Sequence, residues 1–129
     1  MKILEDIKYH KEHTWVKVSG KKAIIGITDY AQEQLGDIVY IDLPEVDSEV
    51  EANTEIAEIE STKATSSVIS PVTGVVIEVN EELAESPEII NEDPYGRGWI
   101  AKIEIEDPSE LDDLMDASEY ARFIEEEGK

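Results

Sequence analysis

From position 14 to position 79 the apolar residues come in short runs, dense in Val, Ile and Thr and separated by turn-forming residues. That pattern predicts strands over 14–18, 22–27, 37–43, 55–60, 65–69 and 75–79, with one more over 99–105. One interruption has helical grammar. Thr28 can cap a short helix running to Leu35, Asp29 favours its positive end, and Gly36 stands where a left-handed C-terminal cap is needed. Past Pro108 the period changes again. Leu111, Leu114, Met115, Tyr120, Phe123 and Ile124 are spaced for a helical face, with Ser109 and Asp116 as N-caps. Residues 125–129 are expected to fray. The pattern as a whole predicts one domain over 1–129, mainly β with peripheral helices.

A modest internal repeat overlies these strands. "VDSEVEANTEI" from Val46 aligns with "VNEELAESPEI" from Val79, matching Val46 to Val79, Val50 to Leu83, Glu55 to Glu88 and Ile56 to Ile89. Two copies are too few for a solenoid. They suit a small sandwich of two related β halves joined by a hairpin, and that link contains Lys63. If its strands end near Glu60 and resume near Thr65, Thr62 and Lys63 occupy the centre of a tight turn. Neither residue favours the left-handed backbone angles of two-residue hairpins. The flanks Ser61, Thr62, Ala64, Thr65, Ser66 and Ser67 are all small, so a lysine at this tip stands clear of its neighbours.

Charge makes the position more unusual. The chain carries 32 acidic against 11 basic residues, a formal net charge of −21, and Lys63 is the sole Lys or Arg between Lys22 and Arg97. Such acidity argues against nucleic acid or an anionic membrane as a partner, because both are held through clustered Lys and Arg. It favours proteins with basic docking surfaces, or small molecules. There is no cysteine, so sulfur chemistry requires a cofactor. The N-terminal stretch has neither a secretory apolar core nor a spanning run, and it lacks a basic transit pattern, so a cytoplasmic protein is expected.

"YHKEHTW" places His10, Glu12 and His13 close together. A metal site is discounted there: the run leads into a strand, where alternation puts His10 and His13 on opposite faces, and the helical His-Glu-x-x-His spacing is absent. Asp93-Pro94-Tyr95-Gly96 with Gly98 and Trp99 reads as a structural turn with aromatic packing. No phosphate loop, nucleophile with its base, or paired-carboxylate signature has convincing context, so an enzyme is not expected.

Glu60-Ser61-Thr62-Lys63-Ala64 resembles the attachment hairpin of lipoyl carriers. The surrounding stretches "GITDYAQEQLGDIVYIDLPEV", "EIESTKATS", "SPVTGVVIEVNEEL", "SPEIINEDPYGRGW" and "DPSELDDLMDASEYARFI" are similar to the H protein of the glycine cleavage system over almost the whole chain. Biotin carriers usually flank their lysine with methionine, and Thr62 and Ala64 stand there instead. The resemblance implies a lipoyl/biotinyl-type β-sandwich, or barrel-sandwich hybrid, with C-terminal helices. It implies lipoic acid in amide linkage to Lys63, which removes one positive charge and takes the net charge from −21 to −22. The implied partners are a decarboxylase (P protein) that loads an aminomethyl group, a tetrahydrofolate-dependent transferase (T protein) that removes it, a dihydrolipoyl dehydrogenase (L protein) that reoxidises the dithiol, and the lipoyl-attaching enzyme. The chain itself would be a non-catalytic, monomeric carrier.

The same resemblance assigns Glu12, His13, Thr14 and Ser67 to the cleft that receives the loaded arm. The family commonly has an acid at the positions of Thr14 and Ser67. Their loss here leaves a second reading open, an H-like lipoyl carrier of lipoate relay or sulfur metabolism. A non-enzymatic acidic adaptor is the alternative from a different class.

Overall fold

The computed structural model describes residues 2–127. In chain order the strands are β1 (Lys8–Tyr9), β2 (Thr14–Ser19), β3 (Lys22–Ile27), β4 (Ile38–Asp42), β5 (Glu49–Val50), β6 (Glu55–Ser61), β7 (Thr65–Ile69), β8 (Gly74–Val79) and β9 (Ala101–Ile105). The helices are α1 (Asp29–Leu35), the single turns α2 (Glu82–Glu85) and α3 (Ile89–Glu92), a 3-10 helix over Pro108–Asp113, and α4 (Ala117–Glu127). The strands form two open antiparallel sheets, one ordered β1-β2-β3-β9-β8-β5 and the other β4-β6-β7.

The two sheets close over an aliphatic core. Val16, Ala23, Ile25, Ile27, Val76 and Ile103 enter it from the large sheet, and Ile38, Ile41, Ile59 and Val68 from the small one. β3 reads as the nearly unbroken run "AIIGI" because both of its faces are covered. Ala23, Ile25 and Ile27 face the main core, while Ile24 packs with Trp15, Tyr9, Tyr120 and Ile124 in a second cluster. α4 covers that second face. A register shift between Glu55 and Ala57 lets the adjacent Ile56 and Ala57 both be buried, as a bulge permits.

α1 starts as its sequence predicts, with the Thr28 hydroxyl accepting from the Ala31 N–H at 3.2 Å. α4 begins with a capping box: the Glu119 N–H donates to Asp116 Oδ1 at 2.9 Å, and the Asp116 N–H donates to Glu119 Oε1 at 3.1 Å. Among the described residues no helix is long and apolar enough to cross a membrane.

Several expectations are corrected. Ser109 is not a cap. Asp107 is, accepting from the Ser109 N–H and hydroxyl, and these bonds hold its carboxyl below the usual range. Gly36 has φ 76 and ψ −154, a glycine-only region that is not the left-handed helical one. The repeat is not structural, because Val50 and Ile56 lie in strands whereas Leu83 and Ile89 lie in single-turn helices. The Lys63 hairpin joins two strands of the small sheet and does not link two halves. His10 and His13 sit in a turn between β1 and β2, with His13 at φ 69, so strand alternation does not apply. α4 is helical through Glu127, and residues 128 and 129 of the segment expected to fray lie outside the described part.

Candidate functional site

The β6–β7 hairpin turns at residues 61–64 without a residue of positive φ. Serine chemistry replaces the usual Asn-Gly. Ser61 Oγ accepts from the N–H groups of Lys63 and Ala64 at 3.2 and 3.1 Å, and the Ser61 N–H donates to the Ala64 carbonyl at 2.8 Å. Thr62, Lys63, Ala64 and Glu60 are exposed. The tip is anchored from outside, because the Thr62 N–H donates to the Asp37 carbonyl at 3.0 Å.

The segment under the tip is fixed in turn. Asn91, on α3, donates to the carbonyl of Gly36 at 2.8 Å and to the Gln32 side chain at 2.9 Å, and its own oxygen accepts from the Ile38 N–H at 2.9 Å. Asn91 thereby clamps the end of α1 to the start of β4. Sequence reasoning missed this positioning role; the available signal was a polar residue directly after the buried Ile89 and Ile90. Gly36 has a second function besides its positive φ. A Cβ there would lie 3.1 Å from Lys63 Cε, so the lysine stem lies back across the glycine toward α1.

A cleft of about 280 Å³ opens beside this face of α1. Ile27, Ala31, Leu35, Ile59 and Val68 form apolar wall, while Glu12, His13, Ser67 and Glu127 are among its polar lining. Three of the four positions expected around an arm, Glu12, His13 and Ser67, are therefore brought together. Thr14 is not among the lining residues. Its side chain is fully buried, and its hydroxyl donates to the Ile69 carbonyl at 2.7 Å. Glu127 was not foreseen, since its place depends on how α4 docks.

The two histidines diverge. His10 Nε2 lies 2.6 Å from Asn53 Oδ1. His13 Nδ1 lies 2.8 Å from the Tyr120 hydroxyl, and its Nε2 lies 2.8 Å from Glu127 Oε2. The Tyr120 hydroxyl also meets Thr28 Oγ1 at 2.7 Å. Burial, the largest influence, pushes the Tyr120 phenol far above its ordinary range. Tyr120 therefore stays a neutral donor and acceptor at physiological pH.

Fold and hairpin together define a class, a lipoyl-type β-sandwich that presents a single exposed lysine on a braced turn. Comparison with known proteins narrows it. The family described as glycine cleavage H-protein matches residues 7–127. The glycine cleavage system H protein of Coprothermobacter proteolyticus is 58% identical over 127 residues, covering 98% of this chain and 100% of that protein. That of Carboxydothermus hydrogenoformans is 52% identical over 125 residues, covering 97% and 96%. The crystal structure of a glycine cleavage system H protein from Mycobacterium marinum superposes with a TM-score of 0.86 at 36% identity, over 93% of this chain and 97% of that one. The chain belongs to the glycine cleavage H-protein family.

Proposed function

We propose that this protein is the lipoyl carrier of glycine cleavage, with lipoate joined to Lys63 as an amide. The observation that carries the reading is the path from the lysine to the cleft. The Lys63 stem lies over Gly36, next to Leu35, and Leu35 and Ala31 continue into the cleft wall. An apolar wall with a polar lining suits an arm that is aliphatic along its length and polar when loaded. The lipoyl group would supply a dithiolane able to take up and release a one-carbon amine; no catalytic side chain of this protein is needed.

The chain's own residues do the presenting. Ser61 holds the turn, Thr62 and Asn91 brace its base, and small neighbours leave room for another protein to close around the tip. The proposed partners are the P, T and L proteins of glycine cleavage and the lipoyl-attaching enzyme, visited by a monomeric carrier. The carboxylates of Glu12 and Glu127 on the cleft support glycine cleavage over the sulfur and lipoate-relay reading, because acids absent at Thr14 and Ser67 are present nearby.

Coexpression with a lipoylating enzyme, followed by intact mass and peptide mapping, tests the reading. One lipoyl group on Lys63 is expected. An unmodified chain, or lipoate on Lys21 or Lys22 in its place, overturns it.

A further inference from the structure

We propose that Glu127, in the last turn of α4, is the residue that makes this cleft selective for a cationic arm: its carboxylate receives the ammonium of the carried group. The inference rests on the lipoyl-carrier reading and adds to it the specificity-determining residue of this particular chain.

The charge inventory of the cleft leads there. Its lining carboxylates are Glu12 and Glu127. Ser67 brings only a hydroxyl, and Thr14 is buried with its hydroxyl committed to Ile69. Glu12 is exposed on the β1–β2 turn. Glu127 is held. Its side chain is 44% exposed, yet Oε2 sits 2.8 Å from the ring of His13, which is 17% exposed.

Behind that contact lies a chain of hydrogen bonds with one direction when the imidazole is neutral. The Ala31 N–H donates to Thr28 Oγ1, the Thr28 hydroxyl to the Tyr120 oxygen, the Tyr120 hydroxyl to His13 Nδ1, and His13 Nε2–H to Glu127. Each member is satisfied, and each fixes the next. Rings on two further sides, Tyr30 at 4.9 Å and Phe123 at 5.9 Å between centroids, confine the imidazole. A carboxylate accepts on two oxygens, so Glu127 can keep His13 on Oε2 and offer Oε1 to an ammonium. Its position also conflicts with helix electrostatics. The last turn of α4 is Glu125, Glu126 and Glu127 with no basic residue, where the negative end of the helix favours cations. A cation docked in the cleft relieves that conflict.

The test needs no partner enzyme. The lipoylated protein is reduced, and its dithiol is alkylated with 2-bromoethylamine to give a cationic arm or with iodoacetamide to give a neutral one. Docking is read from the His13 ring nitrogen resonances and from the melting temperature. The cationic arm should move the His13 signals and raise the melting temperature more than the neutral arm does. Glu127→Gln should lower its docked-to-free ratio about threefold to tenfold, as for a half-exposed charged hydrogen bond. Ser67→Asp added to Glu127→Gln should restore docking, since Ser67 lines the same cleft. Equal docking of the cationic arm in the wild type and in Glu127→Gln overturns the inference while leaving the carrier reading intact. Failure of the wild type to become lipoylated removes the carrier reading itself.

Discussion

Substitution at Lys63 should separate modification from folding. Lys63→Arg cannot form the amide, because a guanidinium stays protonated and offers no free amine. It should accept no lipoate. The tip is exposed and its turn is held by Ser61, so the unfolding free energy should change by no more than about 0.5 kcal/mol. A larger loss would make Lys63 part of the scaffold. Gly36 is the opposite case. Its φ of 76 and ψ of −154 lie where a side chain costs about 1–3 kcal/mol. Gly36→Ala should lose that much in urea unfolding, and the loss should persist in Lys63→Ala, because the lysine stem is flexible and can move aside while the backbone cannot. A loss that vanishes in Lys63→Ala would mean that the contact with the stem, and not the backbone, was responsible.

Among the elements, α4 is attached chiefly through aromatic packing on the outer face of the large sheet. Tyr120 stacks on Tyr9 with ring centroids 4.4 Å apart and planes 4° from parallel, and both are fully buried. Tyr95 ties the N-terminal segment to the same layer, its hydroxyl donating to the Lys2 carbonyl at 2.6 Å. Burial raises the folded pKa of all three phenols above the ordinary value of 10.0. Their contribution is complete below the unfolded value and is lost as pH rises from there through the folded values, because the unfolded chain gives up these protons first. The urea midpoint should hold at pH 8–9 and fall progressively above about pH 10. Lysines also titrate in that range, so Tyr120→Phe is the comparison. It should be less stable at pH 8 and lose less between pH 9 and pH 11. Parallel decline in the two proteins would remove Tyr120 from the effect.

For the whole molecule, the governing quantity is a net charge of −21 on 129 residues. Like charges spread over a small domain repel, and salt shortens the range of that repulsion from about 30 Å at 0.01 M to about 3 Å at 1 M. The melting temperature should therefore rise as sodium chloride is raised from about 0.02 M to about 0.5 M. The same screening should slow encounter with a basic partner surface, so association and stability should respond to salt in opposite directions. A melting temperature that falls over this range would mean that attractive pairs such as Lys102 with Glu78, at 3.3 Å, outweigh the repulsion.

Local chemistry made much of the fold legible. β3 and β7 follow from β-branched runs between turn residues, and α1 follows from Thr28 and Gly36, because period and capping act within a few residues. The Lys63 hairpin was legible from isolation and small flanks, although its Ser61 brace was not. Elements that depend on a partner were hidden. β1 and β5 are two residues each and exist through pairing with β2 and β8, while α2 and α3 are single turns below the length at which a helix holds by itself. The cleft lies furthest from the sequence. Thr14 and His13 are neighbours, yet one is buried and the other opens on the cleft, because His13 takes a positive φ at the strand's start. Glu127 reaches His13 only because Tyr120, 107 positions away along the chain, docks α4 onto the large sheet. Residue types and spacing determined the strands and the exposed lysine; long-range packing decided which carboxylates line the cleft beside α1.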